Sequence, residues 1–138
     1  EHRQEYYESL QAVREDGDWE RWLKFFLGGV EWIARDASRT VQTLIGMFEG
    51  HRKKIFTLGK GTPSALRLHD LLKERGVVSL PAAQRCLKLS FPTVAKAMAG
   101  LERLGIVREA TKRSRERLFS YEPYVKFIGR GTEPFQTQ

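Results

Sequence analysis

Ser90-Phe-Pro-Thr-Val-Ala-Lys-Ala-Met-Ala-Gly-Leu-Glu-Arg-Leu-Gly-Ile-Val107 is the stretch on which the reading of this chain turns. Ser90 is a residue type that caps helices, and Pro92 is tolerated in a first turn, where its missing amide has no intrahelical acceptor. Val94, Met98, Leu101 and Leu104 recur at steps of three and four, the spacing of one buried helical face. Gly105 is suited to end that helix, because glycine adopts the left-handed conformation of a C-terminal cap. Upstream, Pro81–Leu87 predicts a two-turn helix with Ala83, Cys86 and Leu87 facing inward, and Lys88-Leu89-Ser90 predicts the turn between the two. Short helix, tight turn and longer helix are the parts of a helix-turn-helix.

Both flanks extend this unit. Thr62-Pro63 reads as an N-cap followed by proline at the first helical position, opening a helix with Ala65, Leu68, Leu71 and Leu72 inward that stops at Gly76. Val77-Val-Ser-Leu80 is a short β-branched run. Past Gly105, Ile106–Ala110 and Arg117–Tyr121 read as two strands joined by a charged tip at Thr111–Arg115. The order of elements over 62–128 is that of a winged helix-turn-helix, three helices plus a small β wing. Agreement of cap, stripe, terminal glycine and basic hairpin within one short segment carries that expectation.

The amino-terminal part is read as all helix. Tyr6, Leu10 and Val13 share a face over His2–Glu15, and Asp16-Gly17-Asp18 interrupts it with Asp18 as the next N-cap. Trp19, Leu23, Phe26, Val30, Ile33, Ala37, Val41, Leu44, Phe48 and Ile55 then keep helical spacing to about Leu58. Gly28-Gly29 leaves open whether this is one helix or two. Trp22, Phe25, Leu27 and Trp32 broaden the apolar face beyond what a helical hairpin covers, so either a further domain or a second copy of the chain packs there or these aromatics form the local core. The fold class is therefore mainly α: a helical hairpin or bundle segment at 1–58, a linker at 59–61, the winged helix-turn-helix at 62–128 and a flexible tail at 129–138.

Composition separates the two parts. The chain has 138 residues and a net charge of +7. Residues 1–58 hold nine Lys/Arg against ten Asp/Glu, residues 59–128 fourteen against six, and the last ten balance. A concentrated basic domain attracts polyanions, and double-stranded DNA is the expected partner. The face of Ser90, Phe91, Pro92, Thr93, Lys96, Ala97 and Gly100 is expected to enter the major groove. Arg108, Lys112, Arg113, Arg115 and Arg117 are expected to set the wing on the phosphate backbone. A hydrophobic content of 41% with three Trp and eight Phe argues against disorder, and no apolar run reaches the ~20 residues of a membrane span. The single Cys86 excludes an internal disulfide framework and suits a cytoplasmic location.

Other residue groups are read as carrying no chemistry. His69-Asp70 lie on successive helical positions and point apart, which predicts a solvated pair. His2, His51 and His69 have no metal-ligand spacing. Gly59-Lys60-Gly61-Thr62 lacks the upstream glycine of a phosphate loop and follows a helix. No catalytic motif, metal site or cofactor site is read in this chain.

His2-Arg-x-Glu-Tyr-Tyr-x-x-Leu-Gln-Ala-Val-Arg14 followed by Gly17-Asp-Trp-Glu-x-Trp-Leu-x-Phe-Phe-Leu27 resembles the helices after the catalytic core of bacterial Fic-family proteins. Ser90–Val94 and Leu104–Arg108 are similar to their carboxyl-terminal domain. The resemblance covers nearly the whole chain. It implies a parent protein that transfers AMP from ATP to a target-protein hydroxyl with magnesium at the phosphates, and a missing amino-terminal Fic core as a partner of these helices. The family's His-Pro-Phe and Gly-Asn-Gly-Arg segments have no counterpart here, so no catalytic residue is carried over. The first residues, which read as the interior of a helix, fit such a fragment. Two roles stand open: a DNA-binding module for targeting or transcriptional regulation, or a protein-interaction or dimerisation module of an adenylyltransferase.

Overall fold

A computed structural model describes residues 2–111 and 117–129, with His2 described by its backbone alone. The chain is mainly helical with one small antiparallel sheet, and it divides into two compact units, residues 1–45 and 46–138. This division falls upstream of the 59–61 segment that composition marks as a linker.

The first unit consists of α1 (His2–Asp16) and the leading part of α2 (Trp19–Ile55). Gly17, at φ +68°, reverses the chain. Its amide donates to the Val13 carbonyl at 3.1 Å and the Asp18 amide to Ala12 at 3.2 Å, a paired closure that satisfies two terminal carbonyls of α1. Asp18 caps α2 as its sequence position predicts, accepting from the Arg21 amide at 3.0 Å. α2 passes through Gly28-Gly29 without a break, so the helical pattern on either side outweighs the propensity loss of two glycines. The α1 and α2 segments meet through Tyr6 and Phe25, whose rings are 6.2 Å apart, and through Arg21 and Glu8 at 3.4 Å.

In the second unit the end of α2 leads into a 3-10 helix, Phe56–Gly61. α3 (Thr62–Arg75), β1 (Val77–Ser79), α4 (Leu80–Leu87), α5 (Phe91–Arg103), β2 (Arg108–Glu109), β3 (Leu118–Ser120) and α6 (Glu122–Gly129) follow. Pro63 stands in the first turn of α3, while the Thr62 hydroxyl donates to the Ile55 carbonyl at 3.3 Å instead of capping that helix. Ser79 caps α4 and Ser90 caps α5, with hydroxyl-to-amide distances of 3.3 and 3.4 Å. The α4–α5 turn runs through Lys88 in the left-handed conformation.

Two glycines end helices where only positive φ closes the turn. Gly76 (φ +68°) donates to Leu72 at 2.8 Å and accepts from the Tyr121 amide at 2.8 Å, tying α3 to the end of β3. Gly105 (φ +68°) donates to Glu102 at 2.9 Å, and Ile106 closes back on Leu101 at 3.0 Å. The sheet runs in the order β1-β3-β2, with Phe119 opposite Val78 on one side and Glu109 on the other. β1 thus joins the expected hairpin as a third strand.

The core of this unit comprises Ile55, Ala65, Leu68, Leu71, Leu72, Val78, Ala83, Val94, Ala97, Met98, Leu101, Ile106, Val107, Phe119 and Tyr121. Val94, Met98 and Leu101 are buried as their spacing predicts, with Leu104 packed at the edge. Cys86 is exposed rather than inward: eight residues make only two turns, and their buried side is carried by Ala83 with Leu80 and Leu87. α6, which the sequence reading did not anticipate, brings Tyr124 against the core.

Candidate nucleic-acid interface

α5 is buried on one side and open on the other. Phe91, Pro92, Lys96, Ala99, Glu102 and Arg103 are exposed, and Thr93 and Ala95 are half-buried. At about 100° per residue, Pro92, Lys96, Ala99 and Arg103 fall on one outward strip. Ser90 and Thr93 link hydroxyls at 2.7 Å at the start of the helix, which directs part of their hydrogen-bonding capacity to each other.

Two residues expected on this face are not on it. Ala97 and Gly100 are buried. Ala97 belongs to the core, and the 3-10 helix, of which sequence reads residues 59–61 as linker, packs beside Gly100, where a Cβ would stand 3.1 Å from Leu58 Cδ1. Gly100, whose lack of a side chain suggested close approach to a groove, accommodates Leu58. In exchange, Ala99 and Arg103 join the open strip. Both stand opposite the stripe of Val94, Met98, Leu101 and Leu104, so helical periodicity alone could have found them; Ala97 and Gly100 mislead because a four-residue stripe defines the buried arc too narrowly when a further segment packs beside it.

The described cations of the expected wing are partly neutralised. Arg108 meets Glu122 at 3.3 Å, and Arg117 meets Glu109 at 2.6 Å while lying 5.2 Å from the centre of the Phe119 ring. The Arg117 hydrogen bond holds the Glu109 carboxyl below its ordinary range, and Lys126 followed by Arg108 does the same to Glu122. Both carboxylates therefore remain charged near neutrality and offset these arginines. Lys112, Arg113 and Arg115 lie outside the described residues. By contrast, Lys96 and Arg103 have no ion pair among the described residues.

Charge follows the structural division more sharply than the sequence division. Residues 1–45 hold six Lys/Arg against nine Asp/Glu, a net −3; residues 46–138 hold eighteen against eight, a net +10.

A second cluster lies in the core of the basic unit. The Tyr121 hydroxyl is 2.6 Å from His51 Nδ1 and 3.0 Å from His69 Nε2. One hydroxyl hydrogen allows it to donate to one imidazole while accepting from the other. His69, only 2% exposed, is a core residue and not half of a solvated pair with Asp70. Burial, followed by the nearby Lys73, lowers its pKa to about 4; burial, then Lys54, lowers that of His51. Helical folding brings together two histidines eighteen positions apart, which ligand-spacing rules do not register. The described residues contain no group of three or more His, Cys, Asp and Glu able to hold a metal ion.

In the first unit the apolar face of α2 is open. Trp19 is 62% and Trp32 69% exposed, with Leu23, Phe26, Leu27, Val30 and Ile33 also exposed. Trp22 and Phe25 are half-buried; Trp22 stacks on Phe26 at 5.3 Å, and its indole N–H has no partner among the described residues. No described helix is long and apolar enough to cross a membrane.

No protein-family model matches this chain, and no curated protein matches it.

Proposed function

We propose that residues 62–128 are a winged helix-turn-helix that binds double-stranded DNA in the cytoplasm, with α5 as recognition helix and the β2–β3 hairpin as wing. The observation that carries this reading is the open strip of α5, with Lys96 and Arg103 in no ion pair among the described residues, on a unit of net charge +10. Anionic DNA supplies the long-range attraction. The amino-terminal part of α5, with Phe91, Pro92, Thr93 and Lys96, enters the major groove, where Lys96 donates to guanine O6/N7 or to a phosphate. Arg103, two turns on, reaches the backbone. Arg108 and Arg117, with Lys112, Arg113 and Arg115 from the sequence between β2 and β3, hold the wing to the sugar-phosphate chain. Ser90 keeps its role as helix cap, and Ala97 and Gly100 have no part in the contact.

The test is fluorescence anisotropy of a labelled random-sequence duplex at low and moderate salt. We expect binding that weakens steeply with salt, and its loss when Lys112, Arg113 and Arg115 are replaced by Glu. No binding at low salt would refute the reading.

The open aromatic face of α2 favours a second role, attachment to protein. On the resemblance to Fic-family proteins, this face covers an adenylyltransferase core outside the chain, and the basic unit places that enzyme on DNA or takes part in transcriptional regulation. ATP and magnesium belong to that core, and no residue here is assigned to them. Co-expression with a Fic core should cover Trp19 and Trp32, read as a blue shift of their fluorescence. An unshifted spectrum counts against this role, and self-association of the chain alone would assign the face to a homodimer.

A further inference from the structure

The 3-10 helix Phe56–Gly61 borders one flank of α5. Leu58 Cδ1 comes within 3.1 Å of the Cβ position of Gly100, and Gly100 stands one turn beyond Lys96, so the two are about 40° apart around the helix. The flank beside the 3-10 helix is therefore the one that carries Lys96, whereas Glu102 projects on the other flank. Lys60 is exposed in the 3-10 helix, and Lys53 and Lys54 are exposed in the last turn of α2 that leads into it. None of the three has an ion pair among the described residues.

We infer that Lys53, Lys54 and Lys60 form a second phosphate-binding surface, which grips the DNA strand bordering the Lys96 flank of α5. The inference rests on the DNA-binding reading of α5. A helix lodged in a major groove has a phosphate backbone on either side, and cations set along its flank face that backbone and carry no sequence information. A purely structural role would be to offset the negative end of the α2 dipole. That role predicts a change in stability and none in salt dependence.

The experiment compares the full chain with K53A/K54A/K60A and K53R/K54R/K60R, using anisotropy of a labelled random-sequence duplex between roughly 50 and 200 mM salt. Each phosphate contact contributes about 0.9 to the slope of log K against log salt, so the alanine variant should lose roughly 2–3 from its magnitude and the arginine variant should keep it. Helix content is checked by circular dichroism. An alanine variant with unchanged slope overturns the inference and leaves α5 as the reader. Loss in both variants also overturns it, since charge would not be the cause. Failure of the wild-type chain to bind at low salt overturns the α5 reading together with it.

Discussion

Replacement of His69 by glutamine should remove a defined part of the acid sensitivity of the basic unit. His69 is 2% exposed and shares the Tyr121 hydroxyl with His51. Its folded pKa is lowered from 6.5 to about 4, by burial first and Lys73 second, with Asp70 opposing and His51 and Arg52 adding to the decrease. The unfolded chain therefore takes up this proton first as pH falls. The contribution is fully present above about pH 6.5 and is lost progressively down to about pH 4. A pKa decrease of this size corresponds to about 3 kcal/mol at full development, most of which is lost between about pH 7.5 and pH 4.5. Glutamine places an amide near the former Nε2, can meet the Tyr121 hydroxyl and does not titrate. All three tryptophans lie in the first unit, so the assay is hydrogen exchange of core amides in α3 and α5 under urea, at both pH values. The stability gap between wild type and H69Q should shift by roughly 2–3 kcal/mol, with wild type losing more on acidification. A pH-independent gap would refute the claim that burial keeps this imidazole neutral.

Other substitutions probe the same packing. Tyr121→Phe strands two imidazole nitrogens and should cost about 1–3 kcal/mol, read by the same exchange measurement; a neutral result would deny the shared hydroxyl an energetic role. Gly100→Leu should drive the Leu58 segment off α5 at a cost of about 1–3 kcal/mol, with faster amide exchange in residues 56–61, and unchanged protection there would contradict the packing. Gly76→Ala forces a side chain to φ +68° and sets its Cβ 3.5 Å from Val125 Cγ2. A loss of about 1–2 kcal/mol is expected from the left-handed conformation alone, and a neutral result in urea unfolding would argue against that turn.

Much of the local structure was legible because its causes are local. A capping hydroxyl at Ser90, an N-cap carboxylate at Asp18 and glycines at 17, 76 and 105 act over four or five residues, and each stands at an observed helix end. The buried positions Val94, Met98 and Leu101 follow from helical periodicity. The candidate face of α5 was legible only in part: Phe91, Pro92 and Lys96 are open as read, whereas Ala97 and Gly100 are covered and Ala99 and Arg103 take their place. No rule internal to α5 announces Leu58 as its neighbour. The segment 59–61, rich in glycine, has the composition of a linker and belongs to a 3-10 helix, because Leu58 packs against the core and beside Gly100 of α5.

The sequence by itself determined where α1, α3 and α5 end and where α2, α3 and α5 begin, that Val94, Met98 and Leu101 face the core of the basic unit, and that positive charge gathers in the carboxyl-terminal half. These depend on backbone sterics, side-chain spacing and residue counts. Only the tertiary structure decided that β1 completes a three-stranded sheet, that Leu58 packs against Gly100, and that His51 and His69 share one buried hydroxyl. Each of these is a meeting of residues distant in the chain, set by which apolar surfaces exclude water together.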